Sequence, residues 1–92
     1  MKTKIIIESL SMDLYRAATG LHRQSFSMAE RFEEEALARS LELGMLPELD
    51  SYCKKLIAQT INVIKSKQKD RAEKLLMYSV LFKNYAQFNY KV

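Results

Sequence analysis

Apolar residues recur along the chain at spacings of three and four in four separate stretches, the period of helices that bury one face. In the first stretch Ile7, Leu10, Leu14, Ala17 or Ala18 and Leu21 form a stripe that predicts a helix over about 3–19, with Gly20 as its stop. A polar connection follows, and Ser27 with Glu30 has the spacing of a capping box, which predicts a second helix over 27–43. Met28, Ala29, Phe32, Ala36 and Leu43 share one side of it, Leu37 and Leu41 widen the apolar surface, and Gly44 suits a left-handed stop.

The second half of the chain is more strongly patterned. Pro47 fits a first helical position, Glu48 and Asp50 favour the positive end of a helix dipole, and a third helix is predicted over 47–65. Leu49, Tyr52, Cys53, Leu56, Ile57, Ile61 and Ile64 trace one continuous face of it. The polar run from Ser66 to Asp70 predicts a tight turn, and Asp70 followed by Glu73 marks the N-terminus of a fourth helix over 70–89. Because that run lacks glycine and proline, a single helix from Pro47 to Tyr90 is the alternative, and it would favour a dimer.

The expected architecture is therefore all-α: a small antiparallel bundle of about four helices in a single domain, 1–92. With two glycines and one proline the chain lacks the turn chemistry of many short strands. At 48% apolar and 28% charged residues it has the composition of a folded domain and not of a disordered one. Ninety-two residues support one core with a thin stability margin, so a partner or a second copy would matter to it.

The fourth helix departs from simple amphipathicity, which directs attention to binding. Leu75, Tyr78, Phe82 and Tyr85 or Ala86 lie on one face, while Met77, Leu81 and Phe88 lie on another. One small bundle is expected to bury the first and part of the second, leaving a contact surface with Tyr78, Phe82, Tyr85 and Phe88 as anchors. The function expected on this basis is a non-enzymatic helical interaction module, a small adaptor, chaperone-like or regulatory protein that binds a protein partner or forms a homo-oligomer.

Charge supplies the alternative. Residues 1–46 carry a net charge of minus one and residues 47–92 plus five, with Lys65, Lys67, Lys69, Arg71 and Lys74 gathered around the turn between helices three and four. Such a group can neutralise phosphates, so a nucleic-acid-associated helical protein is the second reading. The competing explanation is that these residues solvate a turn and complement the negative end of helix three.

Other chemistry finds little support. Arg16 and His22 distantly resemble the arginine–histidine pair of helical ribonuclease domains of toxin systems, but Ala17 stands where a polar residue is typical and Gly20 intervenes. That resemblance would imply RNA phosphodiester cleavage. Glu30, Glu33, Glu34, Glu35 and Glu42 lack the Glu-x-x-His pairs of a di-iron bundle and are expected on a wet face, with Glu30 serving as a cap and Glu35 pairing with Arg39. No metal site, cofactor or catalytic residue is expected: no nucleophile elbow surrounds any serine, and no phosphate-binding glycine loop is present. Cys53 is the sole cysteine, which rules out an intrachain disulfide and suits a cytoplasmic location. The three-residue apolar run Ile5–Ile7 ends at Glu8, too short for a signal-peptide core, and no run approaches the length of a membrane span.

Overall fold

The computed structural model describes residues 2–90, and among these the regular secondary structure is entirely helical. The four helices are α1 (Lys2–His22), α2 (Phe26–Gly44), α3 (Ser51–Ser66) and α4 (Arg71–Asn89). They form a closed ring in which α1 contacts α2 and α4, and α3 contacts α2 and α4. Contact is much denser along the two seams of α1 than along the two seams of α3. Partners run in opposite directions: Tyr52 meets Tyr85, whereas Gln59, seven residues later, bonds Tyr78, seven residues earlier. The antiparallel four-helix bundle expected from the sequence is the fold.

The core is built from the predicted stripes. Ile7, Leu10, Leu14 and Ala17 of α1, Ala36 and Leu43 of α2, Cys53, Leu56, Ile57 and Ile64 of α3, and Leu75, Phe82 and Ala86 of α4 are buried in one cluster. Burying each large aliphatic or aromatic side chain contributes about 1.5–3 kcal/mol. Val63 and Leu49 join them, the latter from the connection that precedes α3.

Helix ends differ from expectation at both glycines. α1 runs through Gly20 to His22, and the chain closes it at Gln24, which takes the left-handed conformation (φ 59°). The amide of Ser25 donates to the Gly20 carbonyl at 2.8 Å and that of Gln24 to Leu21 at 3.2 Å, the paired bonds of a Schellman closure. Gly20 has a different purpose. A Cβ there would lie 2.9 Å from the Ala29 nitrogen, so its missing side chain lets α1 and α2 approach closely. Gly44 likewise ends α2 without a left-handed turn, and Met45 caps in a right-handed conformation.

Capping also departs from the sequence reading. The Ser27–Glu30 box does not form: α2 begins at Phe26, and its capping residue Ser25 makes no side-chain cap bond. Pro47 lies in the connection, and α3 starts at Ser51, where Asp50 accepts from the Cys53 amide at 2.9 Å. Between α3 and α4 the chain breaks at Lys67, which is left-handed at φ 53°. The continuous-helix alternative is thereby removed. Asp70 occupies the capping position of α4 without a side-chain cap bond and pairs instead with Lys74 at 3.6 Å.

Candidate interaction surface

Three of the four expected anchors on α4 belong to the interior. Phe82 is fully enclosed, Tyr78 and Tyr85 are buried, and only Phe88 is exposed, at 70%. Tyr78 and Tyr85 face α3: the Tyr78 hydroxyl donates to Gln59 at 3.3 Å, and the Tyr85 ring lies 6.0 Å from that of Tyr52. Their apolar bodies complete the core, and a large aromatic at helical spacing is used there before it is left to a partner.

The surplus apolar surface of α4 lies on two sides: Met77 and Phe88 are exposed on the second face expected from the sequence, and Leu76 and Val80 are exposed on the side turned toward α1. Leu76 (37% exposed) and Val80 (49%) stand on one wall of a shallow groove, and Met12 (50%) and Tyr15 (51%) of α1 form the other. The groove holds about 300 Å³, with Ser11 and Ser79 in its lining. The Ser11 hydroxyl donates to the Ser79 carbonyl at 2.7 Å, which ties the two helices together there and fixes their register. At one end of the groove Glu8 and Lys83, both exposed, line the continuation with Gln87.

Sequence reasoning missed Met12 and Tyr15 because it followed only the buried stripe of α1. The signal was present on the opposite face: Glu8, Met12 and Tyr15 are separated by four and three residues, and so are Leu76, Val80 and Lys83. This spacing places each set on one face of its helix.

The basic turn is largely engaged with the protein itself. Arg71 donates from Nε to Glu33 Oε2 at 2.9 Å, Lys67 approaches Glu33 Oε1 at 3.7 Å, and Lys74 donates to Gln68 at 2.6 Å. Lys65 and Lys69 remain exposed, and neither forms an ion pair among the described residues. Three of the five candidate phosphate-binding cations thus have internal partners.

Glu33 itself corrects the expectation of a wet acidic face. It is buried in a row with Ala29, Ala36, Ser40 and Leu43, and it joins α2 to the α3–α4 turn. Asp13 makes a second such link. It accepts from Arg39 Nε at 2.6 Å between α1 and α2, while Glu35, the expected partner of Arg39, pairs with Arg31. Burial pushes the Asp13 carboxyl above its ordinary range, against the opposing pull of Arg39.

The remaining candidates are placed apart from one another. Arg16 lies over the Phe32 ring at 5.5 Å, whereas His22 closes the last turn of α1; six helical residues put them on different sides of the axis. Among the described residues no group of three or more histidine, cysteine or acidic side chains is placed to hold a metal ion. The Cys53 thiol is enclosed, and its pKa is pushed up to about 11 by burial and then by the Asp50 charge. Tyr85 and Tyr90, edge to face at 6.1 Å, are also raised, chiefly by burial. Among the described residues no helix is long and apolar enough to cross a membrane.

No protein-family model, curated protein or solved structure matches this chain.

Proposed function

We propose that this protein is a non-enzymatic helical interaction module, a small adaptor or regulatory protein that docks a helical protein surface on the outer face of α1 and α4. The observation that carries this reading is the groove between Met12 and Tyr15 on one side and Leu76 and Val80 on the other. Four apolar side chains stand together there on one of the two densely packed seams of the bundle. A preformed apolar strip on a rigid support loses little order when it is covered, which favours binding. A shallow groove running between two helices has the shape into which the apolar face of another helix is laid. A single buried thiol suits a reducing cytoplasm, where such a module would work.

Site-specific photo-crosslinking in the producing cell tests the reading. A benzoylphenylalanine in place of Met12 or Val80 is expected to give a protein adduct of defined mass that is lost when Tyr15→Glu is added. The same probe at the exposed Glu34 of α2 serves as control. Equal labelling at all three positions, or none at Met12 and Val80, would overturn the assignment.

A further inference from the structure

We infer that the occupant of the α1–α4 groove is a second copy of this chain, related by a two-fold axis lying along the groove. The inference rests on the interaction-module reading and names its partner. The two walls are matched in level and opposite in charge. With Ser11 bonded to Ser79, antiparallel register sets Glu8 level with Lys83, Met12 with Val80, and Tyr15 with Leu76. The lining of the groove agrees: Met12, Tyr15, Leu76 and Val80 share one stretch, and Glu8, Met12 and Lys83 share the next.

A two-fold rotation about the line of the groove lays α1 of one copy on α4 of the other. Met12 then meets Val80 of the second copy, Tyr15 meets its Leu76, and Glu8 meets its Lys83. Each contact occurs twice, as an isologous interface requires. An unrelated helix would have to supply this complement from its own sequence, whereas this face already contains both halves of it. The four helices so assembled would form antiparallel pairs both within each copy and across the interface, as helical bundles do.

The face is also large enough. The molecule measures 37 × 23 × 17 Å. A two-helix face about 30 Å long and about 20 Å wide has a projected footprint of about 600 Å² per copy, near the lower bound for stable association.

Sedimentation velocity across a concentration series, with circular dichroism to verify folding, tests this pairing. The parent chain is expected to dimerise. Glu8→Lys and Lys83→Glu are each expected to weaken the dimer about tenfold or more, because each puts like charges opposite one another in both symmetry-related copies of the Glu8–Lys83 contact. An equimolar mixture of the two variants is expected to recover association, since the lysine introduced at position 8 of one copy would face the native lysine's replacement, a glutamate at position 83, in the other. A monomeric parent at millimolar concentration, or a mixture no tighter than either variant alone, would overturn the second-copy inference. Crosslinks from Met12 and Val80 to a different protein would overturn it too, yet leave the interaction-module reading standing.

Discussion

Two buried carboxylates connect helices in this bundle, and they sit in opposite kinds of surroundings. Asp13 bridges α1 to α2, where the backbones approach so closely that Gly20 has no space for a methyl group. Glu33 bridges α2 to the α3–α4 turn, along the side of the ring where contact is sparse. Asp13 has one arginine partner whose side chain is substantially exposed, whereas Glu33 holds the more enclosed Arg71 and attracts Lys67 as well. From this contrast the ionic link is expected to matter more to the fold where packing is thin, at Glu33, than where it is tight, at Asp13.

The strongest test removes the link on the sparse side. Glu33→Gln is expected to destabilise the fold by about 3 kcal/mol, because it leaves the Arg71 charge partly enclosed without its counterion. Urea unfolding would measure the loss, and a cost no larger than that of Asp13→Asn would break the contrast. On the dense side geometry should dominate. Gly20→Ala is expected to cost about 1–3 kcal/mol, since the new Cβ would meet the Ala29 backbone and force α1 and α2 apart. A neutral result in thermal unfolding would show that the seam has slack.

Asp13→Asn should be milder, within about 1 kcal/mol of the parent near neutral pH, because burial of the Asp13 charge offsets what Arg39 returns. Its pH dependence has a definite sign. The folded carboxyl titrates above the unfolded one, so native Asp13 binds its proton more tightly. Stability contributed by Asp13 is therefore fully present below the unfolded pKa and declines as pH rises through the folded pKa. The parent's advantage over Asp13→Asn should be greater at pH 3.5 than at pH 7, as urea midpoints at the two values would reveal; the reverse trend would mean that Arg39 outweighs burial. The smallest effect is expected at the closure of α1. Gln24→Gly relieves a left-handed non-glycine residue and should raise stability by about 0.5 kcal/mol after the entropy of glycine is deducted, a shift visible in the melting temperature.

Helix number, order and the buried stripes are legible in the sequence because apolar spacing directly reflects which face turns inward. α3 shows this best: Cys53, Leu56, Ile57 and Ile64 are all in the core. Helix ends are less legible, since one residue type serves several ends. Gly20 reads as a stop although it marks a close approach, and the stop is made by Gln24, which carries no such signal. Which apolar residues of α4 stay exposed is less legible for a related reason. α4 has apolar residues around much of its circumference, so periodicity alone does not separate Phe82, which is fully enclosed, from Leu76 and Val80, which are left open. Glu33 and Asp13 do leave a trace, each falling within a buried stripe, between Ala29 and Ala36 and between Leu10 and Leu14. A charge at a core position requires a partner, and that partner lies far away in sequence, at Arg71 and Arg39.

The sequestered sulfur of Cys53 gives the molecule an internal clock. With its ionisation displaced to about 11, only about one thiol in ten thousand is the reactive anion at neutral pH, even before steric shielding is considered. Alkylation by an added reagent must therefore await a fluctuation that uncovers α3, and the reaction rate counts those openings.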